Sequence, residues 1–167
     1  DGTFSDVAPQ LGLDITGFVK GVAWGDLNND RRPDLYISVL GGPNRLFMNR
    51  GGSSPGDWRF EDIAQRSGLQ EPRESFPCWI GDVNNDGVAD FFAGAYQATT
   101  VNGPFSGEAY VYSGADGSQL YRKIGEAATD RFGYAASTGG DINGDGHSEF
   151  IVSSTVADVV DGTNTYV

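Results

Sequence analysis

An acidic motif occurs three times in this chain of 167 residues, and the repetition limits the possible folds more than any other feature. The copies are GDLNNDRRPDLYI at 25–37, GDVNNDGVADFFA at 81–93 and GDINGDGHSEFIV at 140–152. Their first aspartates are 56 and then 59 residues apart. A second motif keeps the first interval, since FSDVAPQLGL at 4–13 returns as FEDIAQRSGL at 60–69. Two motifs with one period indicate a repeated unit of about 55–60 residues.

Each unit is predicted to hold four short strands and almost no helix. The 25 glycines and the 12% of aromatic residues suit many turns that join β-strands. A first strand is predicted at Phe4–Ala8 and a second at Gly21–Trp24, which leads into the acidic motif. The strands predicted after the motif are Leu35–Val39, Phe91–Tyr96 and Phe150–Ser154, and then Arg45–Asn49, Glu108–Tyr112 and Thr163–Val167. Helical turns are expected only after Val7 and Ile63.

The pattern predicts an all-β fold, with three four-stranded β-propeller blades in a single repeat domain over residues 1–167. The units are approximately 4–59, 60–118 and 119–167. Closed propellers have about four to eight blades, so three units form an incomplete propeller unless further sequence or other chains complete it. Two interpretations are open: a fragment of a larger propeller, or a whole subunit whose open edge strands pair with copies of itself in a ring or filament.

The acidic motif carries oxygen side chains at positions 1, 3, 5 and 9, counted from its first aspartate. Alternate residues of a tightly curled loop point inward, and the carbonyl at position 7 is free to join them. The candidate ligands are Asp26, Asn28, Asp30, Arg32 and Asp34, then Asp82, Asn84, Asp86, Val88 and Asp90, and then Asp141, Asn143, Asp145, His147 and Glu149. Two carboxylates about 4 Å apart repel by roughly 4 kcal/mol at an effective dielectric constant near 20, and a divalent cation removes that cost. Six to eight flexible oxygen ligands suit Ca²⁺ better than Mg²⁺, so about three calcium ions are predicted.

The copies of the motif differ at two positions that affect ion binding. Position 6 is Gly87 and Gly146 in the later copies, as a sharp turn with positive φ requires, but Arg31 in the first. A residue other than glycine costs on the order of 1 kcal/mol there, so the first site is expected to be weaker or reshaped. At position 9 the third copy has Glu149, which is one methylene longer than aspartate.

The context of the motif excludes an EF-hand, which needs a twelve-residue loop and flanking helices. The chain resembles the FG-GAP and VCBS repeat families, the calcium-loop β-propellers of integrin α heads. Units one and two look like the VCBS type, and the third looks like FG-GAP through Phe132-Gly133, with Gly94-Ala95-Tyr96 in the place of the Gly-Ala-Pro of that family. The resemblance implies structural calcium in a loop between the first two strands of a blade, on the face away from the usual ligand-binding loops.

Charge and composition narrow the possible partners. The formal net charge of −12 argues against nucleic acid and against an anionic membrane surface. No apolar run approaches the roughly 20 residues that a membrane-spanning helix needs. The single cysteine, Cys78, is expected to be a small buried apolar residue, and Trp24 and Trp79 are expected to pack between blades.

No catalytic residues are predicted. The only histidine, His147, lies inside an acidic motif, and Ser54 in GSSPG lacks the strand-to-helix turn of a nucleophile elbow. The favoured function is a non-catalytic, calcium-stabilised extracellular module for adhesion or for binding a protein or glycan. Secretion to the extracellular space or cell surface is expected because calcium near millimolar levels fills sites of modest affinity. The alternatives are a structural subunit of an extracellular multimer or filament, and an accessory propeller of a secreted enzyme.

Overall fold

The computed structural model describes residues 2–75 and 77–155, which form ten strands and two short helices. The strands are β1 Phe18–Gly25, β2 Asp34–Leu40, β3 Arg45–Asn49, β4 Phe60–Asp62, β5 Cys78–Gly81, β6 Asp90–Ala95, β7 Glu108–Tyr112, β8 Gln119–Ile124, β9 Ala136–Gly140 and β10 Glu149–Val152. The helices are α1 Ala8–Leu11 and a 3-10 turn at Pro55–Asp57. Within the described ranges no helix has the length and apolarity to cross a bilayer.

The strands form two four-stranded antiparallel sheets and one antiparallel pair. The first sheet has the order β1-β2-β3-β4, the second has the order β5-β6-β7-β8, and β9 pairs with β10. Each strand therefore pairs with its neighbour in sequence, as in the blade of a β-propeller. The predicted fold class is confirmed. The fourth strand predicted for the third unit, Thr163–Val167, lies outside the described residues.

Two predicted strands, Arg45–Asn49 and Glu108–Tyr112, coincide with β3 and β7. The strand predicted at Phe4–Ala8 is wrong, because α1 begins at Ala8 and residues 4–7 carry no strand. Local contacts determine where α1 begins: the side chain of Asp6 accepts a hydrogen bond from the Ala8 N–H at 3.0 Å, and a proline lies in the first turn of the helix.

The last strand of each complete sheet comes from the beginning of the next sequence unit. Strand β4 pairs with β3, with Phe60 opposite Asn49 and Asp62 opposite Phe47. Strand β8 pairs with β7 in the same way. A sheet is therefore closed by residues that follow its own repeat unit, and the unit boundaries drawn in the sequence stay a prediction.

The core lies between successive sheets. Tyr36 of the first sheet and Phe91 of the second place their ring centroids 5.2 Å apart in an apolar cluster that includes Leu46, Met48 and Tyr112. Trp79 stacks on Phe92 at 5.5 Å and lies 6.1 Å from Phe150 of β10, so it packs between sheets as predicted. The same prediction is wrong for Trp24, which is 54% exposed and contacts Phe60 of its own sheet.

Candidate metal centres

All three acidic motifs lie in the hairpin loop between the first two strands of a sheet. They occupy 26–33 between β1 and β2, 82–89 between β5 and β6, and 141–148 between β9 and β10. Strands flank each loop on both sides. This is the position that the resemblance to the calcium-loop propellers implies.

The loops share one pattern of hydrogen bonds from the backbone to their own side chains. The carboxylate at position 1 accepts the N–H groups of positions 5 and 6, and the side-chain oxygen at position 3 also accepts the N–H of position 5. For position 1 the distances are 3.1 and 2.7 Å at Asp26, 3.2 and 3.0 Å at Asp82, and 3.1 and 2.9 Å at Asp141. For position 3 they are 3.1 Å at Asn28, 3.0 Å at Asn84 and 2.8 Å at Asn143. These bonds curl each loop around its own acidic side chains.

Two positions of each loop have left-handed backbone. At position 6 the φ angles are 64° for Arg31, 84° for Gly87 and 91° for Gly146, as the glycines of the later copies predict. Positive φ at position 4 was not predicted, and it occurs in all three loops: Asn29, Asn85 and Gly144 have φ of 57°, 59° and 78°. The signal was present in the sequence, since asparagine and glycine tolerate this conformation best.

The third loop brings three carboxylates together. One oxygen each from Asp141, Asp145 and Glu149 lies within 4.8 Å of the others, the single such group in the described part of the chain. The Asn143 amide donates to Asp145 Oδ2 and to Glu149 Oε1, both at 3.0 Å. The N–H of His147 lowers the pKa of Asp145, with a smaller contribution from Asn143. Carboxylate and amide oxygens are hard ligands, so this donor set fits Ca²⁺.

In the first two loops the aspartate at position 9 is buried and accepts hydrogen bonds from two separate segments of backbone. Asp34 accepts the N–H of Leu27 at 2.9 Å and that of Asn49 at 2.8 Å. Asp90 accepts the N–H of Val83 at 2.9 Å, and that of Gly114, just after the neighbouring strand β7, at 3.1 Å. Both side chains are fully buried, and burial raises the pKa of each carboxyl. Their carboxylates point at backbone donors, so the structure does not gather three carboxylates in either loop.

Arg32 further changes the first loop. Its guanidinium pairs with Asp30 Oδ2 at 2.5 Å, and its Nε donates to the Asn49 carbonyl at 3.2 Å. An oxygen that the spacing predicts as an ion ligand is therefore bonded to a cation. In the second loop, the amide of Asn84 donates to Asp86 Oδ2 at 2.9 Å. The full ligand set, including the carbonyls of Val88 and His147, stays a prediction.

The Gly-Ser-Ser-Pro-Gly segment has no features of a nucleophile elbow. The hydroxyl of Ser54 donates to Asp57 Oδ2 at 3.1 Å, and Ser53 donates to the same oxygen. The segment leads into the 3-10 turn rather than joining a strand to a helix. Its serines therefore act as local turn-stabilising groups.

Comparison with known proteins identifies the repeat. The FG-GAP repeat family model matches residues 132–167. Cartilage acidic protein 1 of Homo sapiens is 31% identical over an alignment of 166 residues, and the alignment covers 92% of this chain and 23% of that protein. Integrin alpha-7 of Mus musculus is 29% identical over an alignment of 158 residues, which covers 83% of this chain and 12% of the relative. The chain thus spans about a quarter or less of the length of these relatives.

The structure explains why the repeat has glycines at its defining positions. A Cβ on Gly94 would collide with the Gly133 carbonyl, and one on Gly133 would collide with the Glu108 carbonyl. The Phe132-Gly133 pair and the Gly94-Ala95-Tyr96 segment therefore meet where the second sheet contacts the third unit. With this contact, the family match and the relatives in agreement, the chain contains an FG-GAP repeat.

Proposed function

We propose that the chain is a non-catalytic, calcium-stabilised extracellular β-propeller module for adhesion or for binding a protein or glycan partner. The observation that carries the calcium proposal is the grouping of Asp141, Asp145 and Glu149 within 4.8 Å in a hairpin loop. FG-GAP repeats of integrin α subunits bind calcium generally, which supports the same assignment. The relatives are secreted or cell-surface proteins of the adhesion type, which supports an extracellular location and a protein partner.

Calcium would act on the folded state in two ways. It would offset repulsion between carboxylates that the hairpin holds close together. Three divalent ions would also halve the formal net charge of −12. An ion whose ligands come from several positions of one loop binds only the folded chain. Calcium binding therefore raises the free energy of unfolding.

Thermal unfolding tests the calcium proposal directly. We expect millimolar calcium to raise the Tm well above its value in chelator, and sodium chloride of equal ionic strength to have little effect. Asp145→Asn should remove part of the shift, whereas Asp116→Asn should preserve it, because Asp116 is an exposed turn residue outside the three acidic loops and its Oδ1 accepts the local Ser118 N–H at 2.8 Å. An identical Tm rise with sodium chloride would show that screening, and not ion binding, stabilises the chain.

A second candidate function is a structural subunit of an extracellular multimer. It is favoured by exposed apolar side chains at the two ends of the described structure. Val22 and Trp24 of β1 are 52% and 54% exposed, Ile151 of β10 is 49% exposed, and Ile142 in the loop before β10 is 67% exposed. Light scattering over a concentration series tests this function. A particle mass that stays at 17.8 kDa over the whole series would reject it.

A further inference from the structure

A cleft of about 570 Å³ lies between the first two sheets, beside the first acidic loop. Its floor consists of five apolar side chains from the cluster between those sheets, each at most 7% exposed: Leu27, Leu46, Met48, Leu69 and Phe91. Ligand sites in proteins have volumes of about 300–1,000 Å³ and are lined mostly by apolar side chains. The cleft therefore has the size and the floor of a site that accepts an apolar group.

Two arginines lie on the side of the cleft that the first sheet forms. Arg50 follows β3, Arg66 lies in the turn after β4, and both bind the carboxylate of Glu61. Arg50 Nε donates to Glu61 Oε2 at 2.7 Å, and Arg66 donates to the other oxygen, Oε1. Hydrogen bonds from Arg66 and then from Arg50 lower the pKa of Glu61, so this carboxyl is ionised at neutral pH. One carboxylate balances one guanidinium, and one positive charge is in excess.

The same two guanidiniums retain donors for a further anion. The side chains of Arg50 and Arg66 are 45% and 56% exposed. Each guanidinium has five N–H donors, and the contacts with Glu61 use only some of them. Paired N–H groups of arginine fit the two oxygens of a carboxylate. The arginines can therefore accept a second carboxylate, from a ligand in the cleft.

The second sheet forms the opposite side of the cleft with residues 113–117, in the hairpin between β7 and β8. Asp116 of this hairpin carries a negative charge, and its Oδ1 accepts the Ser118 N–H. A ligand carboxylate is repelled by Asp116 and attracted by the arginines. The charges of the two sides thus determine how an acidic ligand is oriented.

The lining favours a peptide over a glycan. Phe91 is the aromatic residue among those that line the cleft, and it is 1% exposed, so the cleft offers no open aromatic face for a sugar ring. An apolar side chain of a peptide instead gains free energy when it is buried against the floor. The adhesion-type relatives also support a protein partner.

We propose that this cleft binds a peptide segment of a partner protein in which a large apolar side chain stands beside a carboxylate. The apolar side chain packs against Leu46 and Met48, and the carboxylate accepts hydrogen bonds from Arg50 and Arg66. The charge of the arginines selects the acidic group, and the apolar floor selects its neighbour. The proposal rests on the protein-binding part of the proposed function and needs no ion in any acidic loop.

NMR titration of the isotope-labelled chain with short capped peptides tests the cleft. The probes are acetyl-Gly-Leu-Asp-Gly-amide, its variant with Asn in place of Asp, and its variant with Ala in place of Leu. We expect the Leu-Asp peptide to shift the amide signals of residues 27–28 and 113–117. The other two peptides should bind at least about fivefold more weakly, because each lacks one of the two contacts.

Substitutions on the two sides of the cleft test the charges. Arg66→Gln should weaken binding of the Leu-Asp peptide about fivefold, because it removes a charged donor. The matched control is Arg73→Gln, since Arg73 is also exposed and pairs with a glutamate, Glu71, but lies outside the cleft; it should leave the affinity unchanged. Asp116→Asn removes the opposing charge and should tighten binding about twofold.

The outcomes separate this proposal from the calcium function. Equal affinities for the Asp and Asn peptides, equal effects of Arg66→Gln and Arg73→Gln, or no binding of any peptide would overturn the cleft proposal. The rise of Tm with calcium is measured on the same samples. If that rise is present and no peptide binds, the cleft proposal alone is rejected. If the Leu-Asp peptide binds and calcium has no effect, the calcium function is rejected and the cleft proposal is supported.

Discussion

At the scale of single residues, Asp34 and Asp90 have a role that spacing alone does not predict. The motif spacing correctly predicts that each lies at the end of an acidic loop, but the only role that it predicts for them is that of an ion ligand. In the structure each is a buried carboxylate that ties its loop to a later segment, through Asn49 and Gly114 respectively. Those donors lie 15 and 24 residues further along the chain, so only the folded sheet reveals them.

Removal of one of these two buried carboxylates should destabilise the folded chain even without calcium. In chelator, Asp90→Ala should lower the free energy of unfolding by about 2–4 kcal/mol, because it leaves several half-buried backbone donors without an acceptor. Glu149→Ala, at the same position of the exposed third loop, should cost less than about 1 kcal/mol. Urea denaturation measures both. Equal losses would mean that burial does not distinguish the two positions.

Arg31 is expected to make the first loop less stable than the other two. Its φ of 64° is costly for a residue with a Cβ, and the other two loops have glycine there. Arg31→Gly should therefore raise the free energy of unfolding by about 1 kcal/mol in urea titrations. Arg66→Gly is the control, since Arg66 has no positive φ, and it should leave the stability unchanged or lower it.

Cys78, which was expected to be buried and is partly buried in the structure, should respond to pH as a shielded thiol. It packs against the core between the first two sheets, and burial raises its pKa to about 11 from the usual 9. The neutral thiol is favoured in the folded state, so its contribution to stability is intact below pH 9 and is lost as the pH rises towards 11. Iodoacetamide at pH 8.5 should therefore alkylate the native chain far more slowly than the urea-unfolded chain. Similar rates would show that the thiol is accessible in the fold.

At the scale of elements, similar sequences adopt different structures according to the partners available. FEDIA forms β4 because β3 offers an open edge to Phe60 and its neighbours. The closely similar FSDVA has no strand partner within the described residues and leads into α1. Strands such as β3 and β7 could be predicted to the residue because short apolar runs and turn residues bound them. The first segment could not, because strand formation there depends on a neighbouring edge.

At the scale of the whole molecule, stacking of the sheets decides which aromatic residues are buried. The sequence assigned Trp24 and Trp79 the same role, since both lie just before an acidic loop. They differ by one position relative to that loop, and a shift of one residue in a strand moves a side chain to the opposite face. Trp79 faces the third unit, whereas Trp24 lies on the open face of the first sheet.

Substitution of the two tryptophans tests this difference. Trp79→Ala should cost about 3–5 kcal/mol in urea denaturation, because it opens a cavity between Phe92 and Phe150. Trp24→Ala should cost less than about 1 kcal/mol, since most of that side chain is already in solvent. If the losses were similar, another surface would have to cover Trp24 in solution.

Strands β4 and β8 each come from the sequence unit that follows the sheet they complete, and this affects where the chain can be divided. A fragment cut at residue 59 would retain β1 to β3 and lose the strand that satisfies the outer edge of β3. That edge would then be free to pair with other polypeptides, and the fragment would be prone to aggregate. A cut after Leu69 keeps the sheet complete together with the turn that buries Ala64 and Leu69. Expression boundaries, repeat duplications and circular permutations should therefore follow the sheets and ignore the apparent sequence period.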